Sequence, residues 1–180
     1  MKKMIGLLAV LFALNLQMNA QKLMCKDGHV WFFGSTPVEN VEAHSKTSSG
    51  VIDVATGNVV VSALLKSFEF EKALMEEHFN ENYVESDKFP KAVFKGQILN
   101  NAEVAYSKDG KYTGKISGDL TLHGVTKKIT TEVIMDKKTD LMHVTGKFTV
   151  TPQDFNIEIP SLVKDKIAKN IDINIDMNFK

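Results

Sequence analysis

IDINIDMNF, residues 171 to 179, alternates without a break. Ile171, Ile173, Ile175, Met177 and Phe179 fall on one side, and Asp172, Asn174, Asp176 and Asn178 on the other. Successive side chains of a strand point to opposite faces, so this period of two predicts a strand with one apolar and one wet face. The pattern recurs upstream. Met142, Val144, Phe148 and Val150 share a face opposite His143, Thr145, Lys147 and Thr149. Ile129, Val133 and Met135, with Thr131 among them, make a third row. Tyr112, Ile116, Leu120 and Leu122, interrupted by Gly114 and Gly118, make a fourth, and Phe94 and Ile98, separated by Gly96, a fifth. Val59 to Leu65 is apolar on both faces, which predicts a strand covered on each side.

The connections are short. Lys108-Asp109-Gly110-Lys111 predicts a hairpin turn between strands at Ala102–Ser107 and Tyr112–His123, since Asp-Gly supplies the positive φ of tight hairpins. His123-Gly124-Val125 predicts the next reversal, and Asp136 to Asp140 the one after. Consecutive antiparallel strands form a meander, and seven or eight long strands remove their exposed edges by closing into a barrel. The expected fold is therefore all-β, a single antiparallel up-and-down barrel of about eight strands. One or two short helices interrupt it. Met75, Phe79 and Tyr83 recur every fourth residue within Glu71–Val84, predicting an amphipathic helix. Ser161 as N-cap, with Val163 and Ile167, predicts another before the last strand.

A chain of 180 residues is long enough for one domain with a sizeable core. Lys2 and Lys3 precede an apolar run from Met4 to Leu16, too short to span a bilayer comfortably. Residues 1–20 therefore read as a secretory signal peptide cleaved near Ala20, with 21–180 as the folded domain. Its loss removes two lysines and no acid, leaving 20 basic against 22 acidic residues, a net charge of −2. That balance argues against a nucleic-acid partner, and no transmembrane segment is expected in the mature chain. The expected location is periplasmic or secreted. Cys25 is the single cysteine, so no internal disulfide can form, and Lys22-Leu23-Met24 before it does not match a lipidation signal.

Four stretches then carry a resemblance. MEEHF (75–79), DKFP (87–90), AVFKG (92–96) and GDLTLHGVTK (118–127) resemble the YceI-like proteins, over roughly residues 30 to 180. Two departures stand out: Glu76-Glu77 precede His78 where many relatives carry Arg-Asp, and the first strand, around Val30–Phe33, is shorter. The resemblance implies a lipocalin-like barrel in an exported protein that binds polyisoprenoid lipid along its lumen. It implies no cofactor and no catalysis.

Inward apolar positions are the expected ligand contacts: Phe68, Phe70, Met75, Phe79, Phe94, Ile98, Leu120, Leu122, Val133, Met135, Phe148 and Ile175. His78, Lys127 and Lys128 are candidates for a lipid head group. Gly96, Gly114, Gly118 and Gly146 fall on inward positions, either easing strand coiling or leaving room for a slender guest. His123 shares the solvent-side phase of Ser117, Asp119 and Thr121, which predicts a structural role bonding to the turn. The histidines at 29, 44, 78, 123 and 143 lack metal-ligand spacing, and no nucleophile elbow or phosphate loop occurs. Two further readings are open: a small-molecule enzyme using the cavity, which needs an inward ionisable residue, and a ligand-free stress-response or interaction module, which needs apolar patches on the outer wall. A homodimer is also open.

Overall fold

The computed structural model describes residues 21–180; the leader reading lies outside the described residues. The strands are β1 (Lys22–Ser35), β2 (Asn40–Asp53), β3 (Asn58–Leu64), the two-residue β4 (Glu69–Phe70), β5 (Lys91–Ile98), β6 (Gly110–Leu122), β7 (Val125–Lys138), β8 (Leu141–Val150) and β9 (Ile171–Phe179). Every neighbouring pair is antiparallel. The order β2-β3-β5-β6-β7-β8-β9-β1 returns on itself because β1 also pairs with β2, closing an eight-stranded up-and-down barrel. Closure leaves the eight without a free edge. β4 lies outside the count, pairing Phe70 with Ala43 along the opening half of β2.

The expected apolar rows all face inward. On β9, Met177 and Phe179 are buried; on β8, Met142, Val144 and Val150; on β7, Val133 and Met135. Two reversals are tight two-residue turns. Leu122 pairs with Val125 across His123-Gly124, whose φ values are 50° and 73°. Positive φ at both positions matches the right-handed strand twist, and Gly supplies the second without steric cost. Lys138 pairs with Leu141 across Thr139-Asp140.

Between β3 and β5 the chain leaves the wall. It makes a short α-helix, the single one among the described residues, α1 (Ala73–His78), which runs on as a π turn over Phe79–Tyr83. This is the predicted amphipathic segment, and it lies over one end of the barrel.

The first strand is not short: β1 runs 14 residues, well beyond the expected Val30–Phe33, because its inward Leu23, Cys25 and Val30 continue the core. Three further local expectations fail. Ala102–Ser107 is not a strand: a 3₁₀ turn at Asn101–Glu103 leads into a loop whose Val104 and Tyr106 pack into the barrel end. The Tyr106 hydroxyl donates to Asn101 Oδ1 at 2.7 Å, and Asn101 Nδ2 donates to the Val54 carbonyl at 2.9 Å, so the loop satisfies itself as a plug rather than a ladder. Asp109 then serves the neighbouring turn, accepting the Thr139 N–H at 2.8 Å. The second helix, 161–169, is a series of turns, with N–H bonds from Val163 to Pro160 and from Lys166 to Val163. Finally, β3 is covered on one face only; Val60 and Leu64 point to water. Exposed Ile134 lies two strands away, beyond β5 and β6.

Candidate functional site: an apolar cavity in the barrel

The two ends of the barrel differ. At the narrow end, bulky inward residues meet glycines. An added Cβ on Gly28 would sit 2.5 Å from Met177 Cε, and one on Gly50 2.9 Å from the Phe179 ring. Met177 and Phe179 therefore fill this end, with Ile52, Ile98, Met135, Met142, the Val104 loop and Cys25 around them. Burial pushes the Cys25 thiol above its ordinary value, so it behaves as a core residue.

Above that floor lies a cavity of ≈ 490 Å³, inside the roughly 300–1,000 Å³ range of small-molecule sites. All twelve residues expected to face the lumen are in its wall. So are many outside that list, among them the row members Val150 and Ile173, and Val30, Phe32, Phe155 and Ile157, which alternation did not single out. Thr131 is the polar exception within the staves, and its hydroxyl donates to the Lys147 carbonyl at 2.8 Å, so its polarity is spent on the sheet.

Phe32, Phe68, Phe70 and Phe79 form an aromatic cluster at the wide end. The Phe79 ring lies 5.4 Å from Phe32 and 5.2 Å from Phe70, within the range of favourable aromatic pairs. This cluster joins α1 to the barrel, which makes α1 and its π turn a cover rather than a separate layer. The ionisable wall residues sit around the opening: Glu39, Lys72, His78 and Lys166, with the Tyr83 phenol beside them. Lys72 Nζ lies 2.7 Å from Glu39 Oε1. That bond holds the Glu39 carboxyl below its ordinary value and the Lys72 ammonium above its own. Among the described residues no group of three or more His, Cys, Asp or Glu is arranged to hold a metal.

The three head-group candidates divide. His78 stands exposed on the last turn of α1 and borders the mouth. Lys127 and Lys128 are exposed and outside the cavity wall, with Lys128 3.8 Å from Asp119. The mouth cations are instead Lys72 and Lys166, which sequence reading did not single out. Their signal was weak, because neither lies on a regular strand.

The inward glycines do not leave space for a guest. Gly96 and Gly118 are direct partners across β5 and β6. A Cβ on Gly118 would lie 2.4 Å from the Gly96 Cα, and one on Gly96 2.6 Å from the folded-over Phe94 ring. At Gly114 and Gly146 the room is taken by Met135 and Val133. Glycine here permits close strand approach and sharp coiling.

His123 does have a structural role, with partners beyond its own turn. Nδ1 is 3.0 Å from the Phe155 carbonyl and Nε2 2.7 Å from Glu85 Oε2. Its ring also meets Phe89 edge-on at 4.9 Å. The hairpin is thereby tied to both loops that roof the wide end.

Comparison with known proteins places this architecture. A polyisoprenoid binding domain from Saccharophagus degradans superposes with a TM-score of 0.77 at 15% identity, covering 88% of this chain and 97% of that one. BcnA from Burkholderia cenocepacia gives 0.69 at 16% identity, covering 84% and 95%. The YceI protein of Campylobacter jejuni gives 0.59 at 20% identity, covering 80% and 86%. At these identities the likeness is one of fold. No curated protein matches the sequence significantly. The model of the YceI-like domain matches residues 22–179, from the first strand of the barrel to the last, and the chain belongs to that family.

Proposed function

We propose that this protein holds a long apolar lipid, a polyisoprenoid or a molecule of similar shape, in the barrel lumen, as a non-catalytic carrier or sequestering protein. The observation that carries the reading is a cavity of ≈ 490 Å³ with an apolar wall and ionisable groups confined to its mouth. Empty apolar volume is costly: at about 24 cal/mol per Å³, even a fifth of this space represents on the order of 2 kcal/mol of lost packing. A fold that is stable by only about 5–15 kcal/mol does not keep such a void without use. Filling it is favourable. Each buried CH₂ contributes about 0.8 kcal/mol, so one five-carbon isoprene unit supplies on the order of 3–4 kcal/mol before the costs of association. The name of the Saccharophagus degradans structure, a polyisoprenoid binding domain, supports the same class of ligand.

The leader-like first 20 residues support a periplasmic or secreted location. Organic extraction and mass spectrometry of the purified protein test the reading. The expected result is a stoichiometric apolar molecule, and a fluorescent prenyl probe that binds the extracted protein. A protein that purifies without lipid and refuses the probe would sink the proposal.

A further inference from the structure

The segment 160–169 presents two faces. Val163 and Ile167 belong to the cavity wall, while Leu162 between Ser161 and Val163 is 94% exposed. Lys164, Lys166 and Lys169 are exposed, and among the described residues none of them is in an ion pair. Asp165 is the one acid in the stretch, leaving a local excess of two positive charges. Val38, next to the wall residue Glu39, and Leu74, itself in the wall, are the other large exposed apolar side chains of the mouth. The facing lip is acidic, with Glu71, Glu76 and Glu77 around α1. Any contact with an anionic surface is therefore one-sided, led by residues 161–169.

Resting on the reading that the cavity takes an apolar chain, we propose that the 161–169 lip docks the mouth onto a lipid bilayer carrying anionic head groups. Leu162 enters the interface, and Lys164, Lys166 and Lys169 lie among the phosphates. The combination of one inserted apolar side chain and flanking lysines suits such a surface, because the aliphatic stems follow the leucine inward while the ammonium groups stay at head-group level. The two inward residues of the same turns continue the apolar path from the bilayer into the lumen. A guest would then move between two apolar phases without crossing open water.

The test is co-sedimentation of the purified protein with vesicles of equal parts phosphatidylglycerol and phosphatidylcholine, and with phosphatidylcholine alone. Leu162→Asp and the double variant Lys164→Glu with Lys169→Glu change exposed residues outside the cavity wall, and each should fold normally. We expect binding to the anionic vesicles, less to the neutral ones, and a loss of roughly tenfold in each variant. Prenyl-probe affinity in solution should stay unchanged. Absence of vesicle binding, or variants that sediment like the parent, would overturn the lip. So would a Leu162-dependent dimer in place of vesicle binding, which would assign the residue to a second copy of the chain. A protein that binds vesicles through Leu162 but never takes the probe keeps the lip and defeats the cavity reading, so the two ideas fail separately.

Discussion

Glu85 and His123, 38 residues apart, meet at 2.7 Å, and both hold positive φ, 45° and 50°. The ring's other nitrogen, Nδ1, faces the Phe155 carbonyl at 3.0 Å, so one side chain ties two roof loops to the hairpin. The His123 side chain is 12% exposed. Its removal leaves the Phe155 carbonyl unpaired and the Phe89 edge uncovered. His123→Ala should cost about 1–3 kcal/mol in urea denaturation, with the roof loops gaining amide exchange before the staves. The bond to His123 holds the Glu85 carboxyl below its ordinary value of 4.5. A depressed carboxylate stabilises above that value and loses its contribution as pH falls through the lower folded one. Glu85→Gln should accordingly flatten the acid side of the stability profile, a change read from melts at descending pH.

Gly118→Ala is the sharpest test of what the inward glycines do. The new methyl would meet backbone atoms of Gly96 and Lys95 at 2.4 Å, and backbone cannot step aside as a side-chain tip can. We expect a loss of about 3 kcal/mol or failure to fold. Gly146→Ala meets Val133 Cγ1 at 2.6 Å but no backbone atom closer than the Glu132 carbonyl oxygen at 3.7 Å, and should cost less. Equal, small losses in circular-dichroism melts would contradict the close-approach reading.

Ala92 lines the cavity from β5. Ala92→Trp places an indole in open space, so stability should change by less than about 1 kcal/mol while prenyl-probe affinity drops at least about tenfold. Probe titration beside a thermal melt separates the two quantities. Undiminished affinity would put the ligand elsewhere.

Burial raises the Tyr106 phenol to about 12 from an ordinary 10.0. Between those values the unfolded chain has released its proton and the folded one has not, so stability falls as pH rises across that window. Two units correspond to at most about 2–3 kcal/mol, less after solvent screening. Burial also raises the Tyr83 phenol, so ultraviolet titration should show Tyr106 as the latest phenol, absent in Tyr106→Phe, which should also lessen the alkaline slope.

The barrel was readable because water lies on one side of each stave and apolar residues on the other. Ile171–Phe179 and Met142–Val150 carry that contrast in every residue. The same rule misled at Val104 and Tyr106, where two apolar residues spaced by two plug an end from a loop. Val163 and Ile167 mimic a helix because both face the cavity, yet consecutive turns deliver them there as well. The glycines were ambiguous for a different reason: their meaning depends on which residue lies opposite, and pairing Gly96 with Gly118 requires the register. His123 kept its predicted structural role, but alternation put it on the wet side of β6. Positive φ in the turn swings the ring toward partners 32 and 38 residues away. No local pattern encodes them.

Met177 and Phe179, seated in the notches left by Gly28 and Gly50, give the lumen a fixed floor. On the proposed lipid-holding function, that floor would make the protein a gauge: guests shorter than the well would forfeit contact and longer ones would trail their surplus through the opening, so Phe179 and the roof loops would set the preferred chain length without any polar readout.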